Sequence, residues 1–524
     1  MARSWSFAAC RDPLCVVLYR LTLHPLAKYP GPLLAKITDW YIVIRSFKGD
    51  RHIELLELHK KHGPFVRFGP NKVSVNTTEG LQKIYGYKAN TQKSSYYHIF
   101  SENFDGENLL TTVDPGLHAK KRKVIGMALS DNSIRAMEEI VLRNVRKFIK
   151  RLGEPEASEN AITTSDNWSS PKNMIEWTSY LAFDVMGDVS FSTSFEMLDK
   201  PDNRYILDIL PQGVNGLNMG GWMPAISRLK LGEIFFPTVA KGLKTYEAFS
   251  EQQAARRLSL GENVPIADVF SHMIQANKAS SEKGQSLFSP RDLVGESSLL
   301  IIAGSDTTAI SITTTTFYLL HNPETYERLK EEIRPRFQSL EEIRGGATLN
   351  SCRWLRACVD EAMRMTPGMP GLLPREVLAP GVEIGGQVFP KGVELGVVHY
   401  AMHHNEDYYP DSFVYKPERW LAELGEGETK EESEHRVALA QSAFCPFSIG
   451  PRGCVGKGLA MKEVMITLAR MIWLYDMRLA PGEENRGTGG PGMGLGRHRT
   501  GEQQAIDMFV SKLDGPVVQF RRRI

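Results

Sequence analysis

One stretch limits the fold more than any other: from Ser289-Pro290 to Leu320 the chain reads as a single helix. Serine is a good N-cap and proline is favoured at the first helical position. The run stops at His321-Asn322-Pro323, because proline disfavours helix in the residue before it. About 31 residues rising 1.5 Å each span ~46 Å, the width of a whole domain. From Leu299 to Leu320 the residues are apolar or hydroxylic almost all round, which marks a helix buried on every side. A chain built round such a helix is mainly α, and the helix crosses the molecule.

The 524 residues alone suggest two to four domains. Hydrophobic residues at 42% and charged residues at 24% are the balance of an ordinary globular protein. With 63 basic against 61 acidic residues the net charge is +2, so no global field recruits nucleic acid. The six cysteines, Cys10, Cys15, Cys352, Cys358, Cys445 and Cys454, include no CxxC pair, and a reducing compartment fits them.

Tyr29-Pro30-Gly31-Pro32 is rigid and extended, and leads into the globular body. Residues 51–63 predict a helix, and Phe65 to Val75 predict a hairpin turning at Pro70-Asn71. A shorter helix is expected over about Cys352 to Met365, and Val377 to Pro390 alternates with glycine turns as small β-structure. Gly153 to Lys172 and Gly482 to Gly496 read as loops. Near the N-terminus the apolar run Leu14 to Leu23 is broken by Arg20 and follows Arg11-Asp12-Pro13. A spanning helix needs about 20 nearly uncharged residues, so none is expected, although the segment can lie on a membrane surface.

The strongest chemical signal is Phe447-Ser-Ile-Gly450-Pro-Arg452-Gly-Cys454-Val-Gly456. Glycines on both sides of one cysteine let the backbone approach something flat and bulky. A thiolate in an apolar site needs a cation to stabilise it, and a metal ion supplies one. Within the long helix, Ala303-Gly304-Ser305-Asp306-Thr307-Thr308 places a glycine and several hydroxyls where they invite a local bend or widened turn. Glu361 and Arg364, at i and i+3 on the shorter helix, are set to pair.

The pattern Phe-x-x-Gly-x-Arg-x-Cys-x-Gly resembles the haem-binding loop of the cytochrome P-450 family at every fixed position. By average residue frequencies a random chain of this length matches it with a probability on the order of 10⁻⁴. The resemblance runs in family order from residue 118 to 456. It implies one mainly helical domain with small β-sheets over residues 29–524, preceded by a membrane-proximal segment 1–28, and this overrides the expectation from length. It implies haem b with Cys454 as the axial ligand to the iron. Haem contacts follow for His118, Arg122, Arg375 and Arg452 at the propionates, and for Phe447, Gly456, Ala303 and Gly304. His118 stands where many members carry Trp. Asp306 and Thr307 are similar to the acid-alcohol pair that relays protons to bound dioxygen. Phe413 and Pro417-Glu418-Arg419-Trp420 are similar to the segment that joins Glu361, Arg364 and Arg419 in a buried network. The spacing of His399, His403 and His404 suits a metal pair, but the resemblance makes them structural, and Cys445 reads as core.

The activity implied is that of a haem-thiolate monooxygenase, an oxidoreductase that inserts one oxygen atom from O2 into a hydrophobic organic substrate by hydroxylation or epoxidation. The Tyr-Pro-Gly-Pro lead-in, the His-x-x-x-Arg variant and Phe509-Val-Ser-x-x-x-Gly515-Pro516 look like filamentous-fungal enzymes of secondary metabolism and benzoate para-hydroxylases. A substrate-contacting hairpin is expected near Val510 to Phe520. No flavin or nicotinamide motif occurs, so electrons come from NADPH through a separate cytochrome reductase, with Lys120, Lys121 and Lys123 as a docking patch. The expected state is a monomer, peripheral at the cytosolic face of the endoplasmic reticulum. Two alternatives remain at this point: a non-enzymatic haem sensor or carrier, and an oxygen-independent isomerase of the same fold. Asp306-Thr307 counts against the isomerase.

Overall fold

The central helix runs from Pro290 to His321, 32 residues. In this computed structural model, which describes residues 12–103, 106–154, 167–261, 263–281, 286–423 and 427–523, its start is closed by a capping box. Ser289 Oγ accepts from the Asp292 amide at 3.1 Å, and Asp292 Oδ2 accepts from the Ser289 amide at 3.0 Å. At its end Asn322 Nδ2 donates to the Tyr318 carbonyl at 2.7 Å, and Pro323 begins the next helix.

Burying so many hydroxyls requires partners, and the helix supplies them from its own carbonyls one turn back. Thr315 donates to Ser311 O at 2.7 Å and Thr316 to Ile312 O at 2.8 Å. Thr313 instead shares a 2.7 Å bond with Thr178 of the neighbouring helix Met174–Phe191. Against the central helix also pack Pro237–Leu260, Arg353–Met365 and Lys457–Leu474. The helix is α-helical throughout, so the widened turn expected near Gly304 is not found. The hydroxyls bond to carbonyls without opening the ladder.

The predicted helix over 51–63 is Arg51–His62, and the predicted hairpin pairs Phe65–Gly69 with Lys72–Val75. That hairpin begins a five-stranded sheet continued by Glu394–Gly396, Arg375–Val377 and Thr91–Lys93. Only the pairing of Lys72–Val75 with Glu394–Gly396 is parallel. Val382–Ile384 and Gln387–Phe389 form a small hairpin about Gly385-Gly386. Most of the loop expected over 153–172 lies outside the described residues.

The C-terminal hairpin differs from expectation. It pairs Ile506–Met508 with Val510–Lys512 and turns at Phe509, whose φ is +77°. Val517–Arg522 leaves it to pair with Tyr475–Leu479 and Lys172–Asn173. Gly515-Pro516 breaks the run that was read as one hairpin.

Candidate active site

Cys454 sits three residues before the helix Lys457–Leu474, where unpaired amides and the helix dipole favour negative charge. Its own amide donates to the Phe447 carbonyl at 2.8 Å, which folds the preceding residues into a closed loop. Burial pushes the thiol pKa up, while the Gly456 and Lys457 amides and the Arg122 and Lys457 charges pull it down. Burial prevails, so a thiolate here needs a further cation. The side chain is nonetheless accessible to solvent, as is Ala303 in the middle of the otherwise buried central helix.

The loop is shaped by close approach. Gly450 has φ +72°, and a Cβ there would collide with the Tyr85 carbonyl. Arg122 Nη1 donates to the Gly453 carbonyl at 2.6 Å, tying the helix Pro115–Ala128 to the loop beside Cys454. Arg452 donates from its two terminal nitrogens to the Thr112 and Val113 carbonyls, each at 2.7 Å.

Arg452, Arg122, Arg375 and His118 lie close enough to disturb one another. Burial first, then Arg375 and Arg122, lower the Arg452 pKa to about 10. Burial, then Lys93, Arg452, Arg122 and Arg375, lower His118 to about 2, so its ring is neutral at any working pH. Lys93, which sequence reasoning missed, belongs to the same cluster. It is buried in the strand Thr91–Lys93, donates to the Leu109 and Leu110 carbonyls at 3.0 and 2.6 Å, and is pushed well below its ordinary pKa by burial and by Arg452 and Arg375. Arg375 Nη1 donates to the Tyr97 hydroxyl at 2.9 Å. Among the described residues none of these cations makes an ion pair; their acceptors are carbonyls and one phenol. Such a cluster is costly unless an anion joins it. A group carrying two carboxylates and a thiolate-seeking metal cation fits both the cluster and the Cys454 loop.

The chain matches the cytochrome P-450 family over residues 30–500. It belongs to that family. It is 37% identical to the cytochrome P-450 monooxygenase apf7 of Gibberella fujikuroi, over 99% of this chain and 98% of the relative. To the cytochrome P-450 monooxygenase AKT7 of Alternaria alternata it is 36% identical, over 97% and 95%. To poxM of Penicillium oxalicum it is 36% identical, over 97% and 92%. The protein is therefore a P-450 monooxygenase, an oxidoreductase of the haem-thiolate class, with the family's single-domain, mainly helical fold.

In this P-450 Asp306 and Thr307 lie on the central helix close to Ala303. Thr307 Oγ1 donates to Ala303 O at 2.9 Å, and burial raises the Asp306 carboxyl to about 7. A carboxylic acid near neutrality both holds and releases a proton at working pH. Gly304 has a different reason to be glycine: a Cβ there would run into the Met186 side chain of the neighbouring helix. Its bare face lets the neighbouring helix pack closely.

The supporting network is as the resemblance implied. Glu361, fully buried, accepts from Arg364 Nε and Nη2 and from Arg419 Nε, all at 2.9 Å, and from Trp420 Nε1 and the Lys416 amide at 3.0 Å. Arg364 Nη1 then donates to the His403 carbonyl at 2.6 Å. His403 Nε2 accepts from the Cys445 amide at 3.1 Å, and Cys445 is a buried thiol that burial pushes up to about 12. The ring Nδ1 atoms of His399 and His404 bond to the Met369 and Tyr400 carbonyls. The expected lysine patch needs correction. Lys120 and Lys123 are exposed, but Lys121 is fully buried, donates to the Glu107 carbonyl and pairs with Asp292 at 3.5 Å.

Proposed function

We propose that Cys454 would supply the thiolate that holds a haem b between the 447–456 loop and the central helix, and that the enzyme oxygenates a hydrophobic small molecule. The observation that carries this reading is the cluster of Lys93, Arg122, Arg375 and Arg452 with the neutral His118 beside the Cys454 loop, in which no side chain makes an ion pair among the described residues. Their donors match two propionates through charge-assisted hydrogen bonds. When bound, the haem supplies reductive activation of dioxygen and transfer of one oxygen atom to the substrate. The chain's own part is positional and acid-base. Ala303 leaves room on the central helix, Phe447 and Gly456 frame the cysteine loop, the Gly456 and Lys457 amides moderate the sulfur's charge, and Asp306 with Thr307 delivers protons.

Electrons come from NADPH by way of a cytochrome reductase. A groove of about 460 Å³ behind the cysteine loop is lined by Arg353, Arg356, Phe447 and Lys457 among others, and suits an acidic partner better than Lys120, Lys121 and Lys123 do. No helix among the described residues is long and apolar enough to cross a membrane. Leu14, Leu18 and Leu23 are exposed in and just after Pro13–Thr22, as are Leu33, Trp40 and Phe47 nearby and Phe235 and Phe236 across the fold. Phe47 and Phe236 meet with ring centroids 5.9 Å apart. This surface supports a protein that rests on the cytosolic face of the endoplasmic reticulum, with Pro13–Thr22 at the membrane. Likeness to enzymes of filamentous fungi supports a place in secondary metabolism.

The test is turnover with a cytochrome reductase and NADPH over a panel of aromatic and terpenoid compounds, after a substrate-binding difference spectrum has selected ligands. Oxygenated product is expected. Reduction of the haem with no oxygenated product from any spectrally bound ligand would favour the sensor or carrier, and rearrangement of an added organic peroxide would favour the isomerase.

A further inference from the structure

One fully buried carboxyl in the central helix has no part in the chemistry above. Glu296 lies about two turns before Ala303, and neither of its oxygens is hydrogen-bonded at ordinary geometry among the described residues. A buried carboxyl so poorly supplied with donors favours its neutral form.

Two glycines bring the chain down over it. A Cβ on Gly106 would stand 2.3 Å from the Arg291 carbonyl oxygen, and one on Gly295 would stand 3.0 Å from the Gly106 carbonyl oxygen. The 106–113 loop therefore lies directly on the helix just before Glu296. Asn108 Nδ2 donates to the Gly295 carbonyl at 3.2 Å, and Asp292 Oδ1 accepts from the Glu107 amide at 3.1 Å, which fastens the contact.

Charged groups reach Glu296 from three elements. The helix Pro115–Ala128 brings Lys121, whose side chain is fully buried and pairs with Asp292 at 3.5 Å. Asp292 stands one turn back on the central helix, with its side chain 20% exposed. The strand Thr91–Lys93 brings Lys93, which donates to the Leu109 carbonyl at 3.0 Å, while the Leu109 amide is turned toward Glu296. One residue, Leu109, thus joins the carboxyl to the cation cluster. The helix Pro237–Leu260 approaches at the next two positions with neutral groups: Ser297 donates to the Ser250 carbonyl at 2.9 Å, and the Tyr246 hydroxyl donates to the Ser298 carbonyl at 2.7 Å. Burial raises the Glu296 carboxyl to about 7; Lys121, the Leu109 amide and Lys93 draw it back, and Asp292 pushes it further up.

We propose that Glu296 is a positioning residue that acts through Lys93 on the charge beside the haem, and that reduction of the iron in this enzyme is coupled to uptake of one proton by Glu296. The proposal rests on the cluster being the propionate site. An electron delivered to the haem adds negative charge near the cluster, which favours the neutral acid over the carboxylate. The electron comes from the reductase and the proton from solvent, which Asp292 meets one turn away. The proton adds to a Glu296 carboxylate oxygen, and no other bond changes.

The experiment is a spectroelectrochemical titration of haem-loaded enzyme from about pH 6 to about pH 8.5, on either side of the ionisation. At one fixed electrode potential the ratio of ferrous to ferric wild type should fall about threefold to tenfold over that range, the coupling expected of two unit charges in a protein interior. In Glu296→Gln, a neutral isostere of the acid form, the fall should shrink to under about twofold. Asp292→Asn removes the charge that pushes Glu296 up, so the fall should persist but move to lower pH, which preserves the test if Glu296→Gln holds no haem. A flat wild-type ratio, a Glu296→Gln enzyme with the wild-type fall, or an Asp292→Asn enzyme whose fall stays at the wild-type pH would overturn the coupling. Lys93→Met separates this from the placement of the haem. A ratio unaltered by Lys93→Met throughout the range would remove the cluster from the haem, and Glu296 with it. A ratio altered by Lys93→Met, beside a Glu296→Gln enzyme that behaves as wild type, would leave the haem where it is placed and sink the proton coupling alone.

Discussion

Thr307 donates its hydroxyl proton to the Ala303 carbonyl at 2.9 Å, which leaves its oxygen lone pairs free to accept. That is the orientation a relay needs from its alcohol, with Asp306 the next residue along and held by burial at about 7. Thr307→Ala and Asp306→Asn should each keep haem and substrate binding but release reducing equivalents as peroxide. The measurement is product formed per NADPH oxidised. The folded pKa of Asp306 lies above its unfolded value, so the acid form, present below about 7, is lost as pH rises through about 7. Coupling in the wild type should therefore fall over that range and be flat in Asp306→Asn. Unchanged coupling in both variants removes the pair from the mechanism.

Lys93 stands among like charges, and under the proposed function the cluster would act on haem and on protein in opposite directions. Lys93→Met should relieve repulsion in the haem-free protein and weaken its grip on a propionate. Haem transfer to an acceptor globin should quicken on the order of tenfold, as expected for one charge-assisted bond of about 1.5 kcal/mol. The haem-free form should melt higher. A variant that loses haem no faster than wild type would place Lys93 outside the propionate site.

Glu361 accepts five hydrogen bonds and pairs with two buried guanidinium groups. Glu361→Ala leaves Arg364 and Arg419 unpaired in the interior, at a cost of about 3–5 kcal/mol. Thermal melting and the ratio of haem to protein after purification read the effect, and both should drop sharply. Retention of both would show that the network is dispensable.

The exposed apolar surface round Pro13–Thr22 is small, and burying one such segment gives reversible binding. Alkaline carbonate should extract the protein from microsomes largely into the soluble fraction, and Leu14→Asp with Leu18→Asp should lower the bound share before extraction. Recovery wholly in the carbonate-resistant pellet would require a spanning segment.

What was legible followed from local rules. Ser289-Pro290 and Asn322-Pro323 bounded the central helix because caps and prolines act over a few residues, and Glu361 found Arg364 because i and i+3 share a helix face. Cys454 stood out because its glycines serve close approach. Lys121 was misread as surface although the helical period places it with His118 and Ile125 on one buried stripe, a signal that composition alone conceals. Lys93 gave no signal, since one lysine in a three-residue strand has no period to break. That Gly304 also meets Met186 was not legible, because Met186 belongs to a helix over a hundred residues away in sequence. The turn at Phe509 was hidden because an aromatic residue in the left-handed region depends on Asp507, which Arg51 holds from the far end of the chain.

The central claim is that the Cys454 sulfur ligates haem iron, and the reduced carbon monoxide difference spectrum tests it most directly. Wild type and Cys445→Ala should both show the red-shifted band of a thiolate-ligated haem, because Cys445 is a buried core residue whose amide donates to His403. Cys454→Ser should lose that band while the protein remains folded by circular dichroism. A Cys454→Ser enzyme that kept the band, or a Cys445→Ala enzyme that lost it, would contradict the assignment.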